Sequence, residues 1–172
     1  MKKLKENDLI FAKVKQEAII PTREEGNAGY DIYACFEDDY IEIKPHETKL
    51  IPTGIATALD SSKYIQVEER GSTGSKGIKK SAGVIDSSYR GEIFIAITNA
   101  NDRYLFITKL NEQTMKEKTY FNTGDILYPY TKAIAQLVVH EVPDMNVVEM
   151  SYEKLKNIPS ARGDGKLGSS GK

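Results

Sequence analysis

Two stretches of the sequence combine the residue types that bind phosphate. Residues 69–78, ERGSTGSKGI, place an arginine, a lysine, glycines and hydroxyl side chains next to one another, and the C-terminal stretch RGDGKLGSSGK repeats the combination. Arginine binds phosphate oxygens through two parallel hydrogen bonds, and glycines let the backbone approach a ligand closely. Taken alone, the first stretch is equally consistent with a capped turn, and the second with a frayed terminus. Together they favour a polyphosphate ligand, over which the second stretch would close as a lid.

An aspartate follows two branched apolar residues in the stretch SAGVIDSSYRGEI. Val84 and Ile85 are typical of a strand, and Asp86 begins the turn that leads back into IFIAIT. A plain hairpin does not need a carboxylate at that position. Asp86 is therefore either a turn residue or a base that takes a proton from an attacking water.

Two further polar residues are placed where they could reach a hydrated cation. Asp31 follows a tight turn in GNAGYDIYA, where it either caps that turn or lies near Mg²⁺, an ion that keeps many of its waters. Gln136 interrupts the apolar run KAIAQLVV, where it bonds a neighbouring loop or helps to order a ligand or water. His46 and His140 show no metal-ligand spacing.

The elements that must position these residues are predicted to be β-strands. Alternating apolar residues and β-branched side chains dominate the chain, with turn-rich pieces between them. The predicted strands are 9–15, 30–36, 40–44, 48–59, 63–70, 92–100, 104–110 and 132–142. This pattern is typical of an all-β sandwich, jelly roll or small barrel, with at most one short helix, at residues 71–77.

The composition limits the class of protein. A chain of 172 residues fits one domain with a substantial core. The 24 Lys and Arg residues balance 25 Asp and Glu residues, which argues against a nucleic-acid-binding protein. The single cysteine, Cys35, leaves no intrachain disulfide. The basic start of the chain is not followed by an apolar run. We therefore expect a cytosolic protein without membrane contact.

Two segments break the strand pattern. Residues 100–131 are polar and charged and are interpreted as a solvated surface excursion, with an insertion at about 100–123. Residues 161–172 are rich in Gly and Ser and are expected to form a mobile arm. The predicted organisation is one β domain over residues 1–160, including the insertion, followed by the arm.

Five pieces of the chain, in their order, resemble the motifs of the trimeric dUTPase family (deoxyuridine triphosphate nucleotidohydrolases). They are AGYDIYA, RGSTGSKGI, AGVIDSSYRGEI, AIAQLVV and RGDGKLGSSG, which together extend from residue 28 to residue 171. The resemblance implies a jelly-roll-like distorted β-barrel and a homotrimer with shared active sites. It also implies Mg²⁺-dependent hydrolysis of dUTP to dUMP and pyrophosphate, which limits uracil in DNA and supplies dUMP for dTMP synthesis.

The resemblance further implies roles for the third motif. Asp86 matches the aspartate that activates the attacking water. Tyr89 matches the tyrosine that packs under the deoxyribose and leaves no room for a 2′-hydroxyl. The backbone of Gly83, Val84 and Ile85 matches the hairpin that reads uracil through main-chain hydrogen bonds.

Other motifs match the groups that contact phosphate and metal. Arg70 and Ser72 match phosphate-contacting positions, and Gly71 stands between them where many relatives have a serine. Asp31 and Gln136 match groups that reach the metal or the phosphates, largely through water.

The fifth motif matches an arm that closes over the nucleotide from another subunit, through Arg162, Gly168 and Ser169. Leu167 stands where relatives have a phenylalanine that stacks on the uracil. Leucine covers the base with apolar area but lacks an aromatic face. We therefore expect the arm to close with a weaker grip on the base.

Two alternatives remain beside dUTP hydrolysis. A dCTP deaminase shares the fold and a similar third motif, but it uses a glutamate on the following strand. Ala96 stands at that position, and Glu92 is too near the turn to replace it, so deamination is disfavoured. The other alternative is a nucleotide-sensing protein that acts through protein contacts.

The connection between the third and fourth motifs is long. From Asp86 to Gln136 the chain is roughly twenty residues longer than compact relatives need. Some members of the family bind regulatory proteins such as repressors. Residues 103–123 are thus a candidate surface for a regulatory partner, although a solvated loop is the simpler interpretation.

Overall fold

The computed structural model describes residues 4, 5 and 7–165, which fall into two units that divide after Val142. Within this part of the chain, no helix is long and apolar enough to cross a membrane. The predicted boundary between a β domain and an arm at residue 161 stays a prediction.

Twelve strands lie in the first unit of the described chain. They are β1 (Leu9–Lys13), β2 (Gly29–Ile32), β3 (Tyr40–Ile43), β4 (Thr48–Pro52), β5 (Ile55–Leu59), β6 (Lys63–Glu68), β7 (Ile78–Lys80), β8 (Val84–Ile85), β9 (Phe94–Asn99), β10 (Leu105–Thr108), β11 (Ile126–Pro129) and β12 (Ala135–Glu141). Three short helices are α1 (Gly71–Gly74), α2 (Glu112–Lys118) and α3 (Tyr152–Lys156). The all-β class is confirmed, but the expectation of at most one helix is wrong, since α2 and α3 lie in segments without a strong helical pattern.

The strands form four sheets, in the orders β1-β5, β11-β10-β3, β2-β12-β6-β8 and β4-β9-β7. All neighbouring strands are antiparallel except β10 and β11, which are parallel. The main core gathers aliphatic side chains from all four sheets, because alternate residues of each strand point inward. Its fully buried members include Ile32, Ile43, Ile51, Ile55, Ile65, Ile95, Leu105 and Leu137.

The predicted strand 48–59 is divided by a turn at Gly54. Its backbone has φ +65°, and a Cβ there would lie 2.8 Å from the Cβ of Ala18. Only glycine combines that conformation with so close an approach. The turn separates β4 from β5, which then pair with β9 and β1.

Residues 100–131 are not a solvated excursion, and that interpretation is wrong. Strand β10 lies between β3 and β11 with all four of its residues buried. Phe106, Met115 and Phe121 form a second buried cluster against α2, whose Asn111 cap accepts a hydrogen bond from Thr114 N at 2.9 Å. These apolar residues are too widely spaced in the sequence to produce a periodic pattern.

The prediction of a regulatory partner on residues 103–123 stays a prediction. Deleting that range would remove β10 from its sheet. Substitutions on the exposed face of α2 are the way to probe a partner without removing a strand.

Candidate active site

One cleft of about 510 Å³ gathers the residues of three motifs. Arg70 follows β6, Asp31 lies on β2 and Gln136 lies on β12, between the two. In the strand register Gln136 stands opposite both Asp31 and Glu68. Gly71 and Ser72, at the start of α1, also line the cleft. Sequence positions about 40 and 65 residues apart thus meet at one end of the four-stranded sheet. We call this the phosphate cleft.

The guanidinium of Arg70 is fixed at the floor of the phosphate cleft. Its Nε and Nη2 donate to Oδ1 and Oδ2 of Asp31 at 2.9 and 3.0 Å, and its Nη1 donates to the Ala133 carbonyl at 3.4 Å. The side chains of Arg70 and Asp31 are 31% and 33% exposed. Arginine carries five N–H donors, so Arg70 is held in place and still has donors for an anionic ligand.

Helix α1 begins with a reciprocal cap between Arg70 and Thr73. Arg70 N donates to Thr73 Oγ1 at 3.1 Å, and that hydroxyl donates to the Arg70 carbonyl at 2.9 Å. Thr73 is buried, whereas Gly71 and Ser72 are exposed. The cap therefore turns the buried side of α1 toward the core and leaves Gly71 and Ser72 facing the cleft.

Gln136 is fixed by main chain on both sides. Its Nε2 donates to the Glu69 carbonyl at 2.9 Å, and its Oε1 lies over Gly29, where a Cβ would come within 2.5 Å of it. The amide thus bonds a neighbouring loop and also lines the cleft. The predicted bond to a neighbouring loop is confirmed, and the ordering of a ligand or water by Gln136 stays a prediction.

Tyr128 is a buried neighbour of this site that the sequence did not reveal. It is buried on β11, and its hydroxyl donates to the Ala133 carbonyl at 2.6 Å. Burial raises the pKa of Tyr128 above the usual tyrosine value, and the opposing influence of Arg70 and Ser72 does not cancel that rise. The phenol is therefore protonated at neutral pH. It was missed because it lies in the segment interpreted as a solvated loop.

A second cleft, of about 270 Å³, surrounds Asp86. Val84, Ile85 and Tyr89 line it together with Asp86. Strand β8 pairs only with β6, and the Gly83 carbonyl accepts a hydrogen bond from Val67 N at 2.7 Å. The other edge of β8 therefore presents its backbone groups without a strand partner in the described part of the chain. We call this the hairpin cleft.

The turn after β8 is held by groups other than the Asp86 carboxylate. Tyr89 N donates to the Asp86 carbonyl at 3.1 Å, the Tyr89 hydroxyl donates to the Glu92 carbonyl at 3.0 Å, and Arg90 Nη1 donates to the Ser87 carbonyl at 2.5 Å. Among the described residues no side chain or amide bonds the exposed Asp86 carboxylate. The turn uses its main chain, so the carboxylate remains available to a ligand or water.

Tyr89 lies over a glycine. A Cβ at Gly91 would collide with the ring and hydroxyl of Tyr89. The ring is therefore held against the backbone, half-exposed, on the wall of the hairpin cleft.

The two clefts are separate within one chain. They share no lining residue. Ile85 pairs with Ile65 on β6. Because the two strands are antiparallel, the next residue, Asp86, lies beside Tyr64. Arg70 lies six residues further along, which is about 20 Å at the rise of an extended strand. One chain alone does not bring Asp86 next to Arg70.

The remaining predicted residues belong to the second unit or fall beyond the described range. Arg162 Nε donates to the Gly165 carbonyl at 3.2 Å. Leu167, Gly168 and Ser169 lie outside the described residues, so their predicted roles stay predictions.

The position that a deaminase would need carries no carboxylate. Ala96 is buried on β9 with only a methyl group. Glu92 is committed elsewhere, since its Oε1 accepts a hydrogen bond from Gly54 N at 2.7 Å. That contact anchors the exit of the hairpin to the turn between β4 and β5.

Comparisons with known proteins agree with these motifs. The model of the dUTPase family matches residues 15–112. The deoxyuridine 5′-triphosphate nucleotidohydrolase of Orientia tsutsugamushi is 41% identical over 86 residues, 48% of this chain and 57% of that protein. The chain thus matches little more than half of the length of that relative. The Variola virus enzyme of the same name is 33% identical over 166 residues, 94% of this chain and 91% of that protein.

The fold is shared with solved structures. The Staphylococcus bacteriophage 80alpha dUTPase, solved with dUPNHPP, superposes with a TM-score of 0.69 at 23% identity, covering 96% of this chain and 99% of that chain. This likeness confirms the predicted dUTPase-type β fold. With the family model covering more than half of the chain, and the Variola virus relative aligned over nearly its whole length, the protein belongs to the dUTPase family.

Proposed function

We propose that this protein hydrolyses dUTP to dUMP and pyrophosphate. The observation that carries the proposal is the exposed Asp86 carboxylate, which lies beside Tyr89 and the outer edge of β8 and has no bonding partner among the described residues. Arg70 and Ser72 line the separate phosphate cleft. The strand edge can bind a base, Tyr89 can pack against a sugar, and Arg70 and Ser72 can bind a triphosphate. Hydrolysis of dUTP would limit uracil in DNA and supply dUMP for dTMP synthesis.

The chemical step requires a base and anion-binding groups but no covalent nucleophile. Asp86 takes a proton from a water, and that water attacks the α-phosphorus. The bond between the α-phosphorus and the bridging oxygen to the β-phosphate breaks, and pyrophosphate leaves. Arg70 and Ser72 bind the outer phosphates and offset the charge that develops on them.

Selection of base and sugar is assigned to the hairpin cleft. The free edge of β8, at Val84 and Ile85, offers main-chain donors and acceptors to uracil. The Tyr89 ring, held over Gly91, forms a wall under the deoxyribose. A 5-methyl group would crowd the hairpin, and a 2′-hydroxyl would meet the ring.

The donor set of the phosphate cleft suits a hydrated Mg²⁺ ion. Asp31 and Gln136 supply a carboxylate and an amide, and the carboxylate is already bonded by Arg70. In the part of the chain that is described, no three His, Cys, Asp or Glu side chains gather to enclose a metal. Mg²⁺ binds through few protein groups together with waters and substrate phosphates, so Asp31 and Gln136 are proposed to hold it through water. When bound, it offsets charge on the triphosphate.

A homotrimer would join the two clefts. Since Asp86 and Arg70 are separated along β6 in one chain, the hairpin cleft of one subunit is proposed to face the phosphate cleft of a neighbour. Exposed apolar side chains beside the hairpin, Val84 at 66% and Phe94 at 47% exposure, favour burial against another copy. Arg162, with Leu167, Gly168 and Ser169, is proposed to close over the nucleotide from another subunit.

The direct test of the function is pyrophosphate release from dUTP by the purified protein with Mg²⁺. We expect efficient turnover of dUTP, and poor turnover of dTTP and UTP because of the hairpin and Tyr89. With dCTP we expect no ammonia, since Ala96 replaces the glutamate that deamination needs. Ammonia release from dCTP, or turnover of UTP comparable with that of dUTP, would contradict the assignment.

Gly71→Ser is expected to lower the KM for dUTP by about two- to tenfold, the effect of one added hydrogen bond. A Cβ at Gly71 meets no heavy atom within 4 Å, so the serine fits and brings a hydroxyl into the phosphate cleft. Gly74→Ser is the matched control, because Gly74 lies on the same helix but does not line that cleft. The same KM in both variants would show that a hydroxyl at position 71 contributes nothing.

A further inference from the structure

We infer that Tyr128 is a positioning residue of the phosphate cleft, whose hydroxyl fixes the Ala133 carbonyl that helps to hold the Arg70 guanidinium in the orientation that meets the outer phosphates. The inference rests on the proposed function, since that function gives Arg70 its ligand. Tyr128 belongs to none of the five motifs.

The Ala133 carbonyl connects the two side chains. It accepts the Tyr128 hydroxyl at 2.6 Å and Arg70 Nη1 at 3.4 Å. A phenol has a single proton, and here that proton is directed at Ala133. A carbonyl oxygen has two lone pairs, so Ala133 accepts both donors at once, and Arg70 lies near enough to Tyr128 to oppose the rise in pKa that burial causes.

Arg70 is therefore held from several sides. The Asp31 carboxylate binds Nε and Nη2, and the Ala133 carbonyl accepts a hydrogen bond from Nη1. An arginine side chain has much rotamer freedom to lose when it binds a ligand. A guanidinium fixed before the ligand arrives loses less on binding.

The hydroxyl of Tyr128 is not required for packing. The side chain is 2% exposed and its ring lies in the main core, a place that phenylalanine would fill equally. A buried hydroxyl costs free energy unless it is hydrogen-bonded. The presence of the hydroxyl is thus explained by its hydrogen bond to the Ala133 carbonyl rather than by the apolar area that the side chain buries.

The pairing of β11 with β10 fixes the position of Tyr128 along the sheet. Strand β11 runs parallel to β10, with Tyr128 opposite Ile107, and Tyr130 N donates to the Thr108 carbonyl at 2.7 Å. Neighbouring residues of a strand point to opposite faces. Accordingly Leu127 packs against the second cluster, while Tyr128 enters the main core. The long segment between the third and fourth motifs thus reaches the phosphate cleft through this strand.

The test is Tyr128→Phe, which removes one oxygen and keeps the ring. Calorimetric titration with inorganic pyrophosphate and Mg²⁺ should show about two- to tenfold weaker binding, the effect of losing one hydrogen bond that supports the Arg70 site. The KM for dUTP should rise by a similar factor with kcat within about twofold, since ground state and transition state lose the contact alike. Binding of dUMP, which lacks the outer phosphates, should stay unchanged.

Tyr130→Phe is the matched control. It makes the same chemical change two residues along, where the ring packs edge-on against Phe36 with centroids 5.0 Å apart, and the Ala133 carbonyl accepts hydrogen bonds from Tyr128 and Arg70 instead. It should bind pyrophosphate like the wild type. Tyr128→Phe binding pyrophosphate like Tyr130→Phe would overturn the inference, as would an equal weakening of pyrophosphate and dUMP, which marks a general structural defect. Failure of the wild type to hydrolyse dUTP would instead overturn the proposed function.

Discussion

Asp86→Asn is expected to lower kcat for dUTP by about 10²–10⁴-fold, the usual contribution of a general base. The KM should stay within about twofold, because asparagine keeps the shape of the side chain and only the ability to take a proton is lost. The structure motivates this expectation, since the turn is closed by the main chain and by Tyr89 and Arg90. Replacing the carboxylate with an amide therefore removes no contact that the turn needs. Steady-state pyrophosphate release measures both constants.

Asp38→Asn is the matched control for this prediction. Asp38 is an exposed aspartate in the bend between β2 and β3 and lines neither cleft. It should retain wild-type kcat. A fully active Asp86→Asn protein would remove this carboxylate from the mechanism and return it to the role of a turn residue.

Mixing two inactive variants is expected to restore activity. Asp86→Asn leaves the phosphate cleft intact, and Arg70→Gln leaves the hairpin cleft intact. If each site takes its hairpin from one subunit and its phosphate cleft from the next, about one site in four is intact in random trimers from an equal mixture. We therefore expect about a quarter of the wild-type rate after the two chains are unfolded and refolded together.

The physical reason is the register of β6. Ile85 pairs with Ile65, so Asp86 and Arg70 of one chain are about 20 Å apart along the strand. Each variant refolded alone is the control, and both should stay inactive. A mixture no more active than its two components would show that a site is built within one chain, and the proposed shared site would fail.

The strands with regular alternation were predictable from the sequence. Strand β5 shows why, since its residues are alternately buried and half-buried, as the period of a strand requires. Strand β7 was missed because three residues are too short to show a period, whereas the two residues of β8 were recognised from their branched side chains. Strand β11 was missed because its four residues sit in a polar segment and end at Pro129.

The residues of the candidate site that belong to the sequence motifs were predictable. Asp31, Arg70, Ser72 and Gln136 do meet in one cleft, as the resemblance implied. Tyr128 could not be predicted, because its contact with the Ala133 carbonyl depends on the parallel pairing of β10 and β11. The separation of Asp86 from Arg70 also required the strand register, which the sequence pattern alone does not specify.

Hydrolysis of dUTP in ¹⁸O-labelled water tests the central claim most directly. Mass spectrometry of the products shows both what is released and which phosphorus the water attacked. The account predicts dUMP and pyrophosphate as the products, with the label in dUMP, because water activated by Asp86 attacks the α-phosphorus. No turnover of dUTP, or a label found in pyrophosphate instead of dUMP, would contradict it.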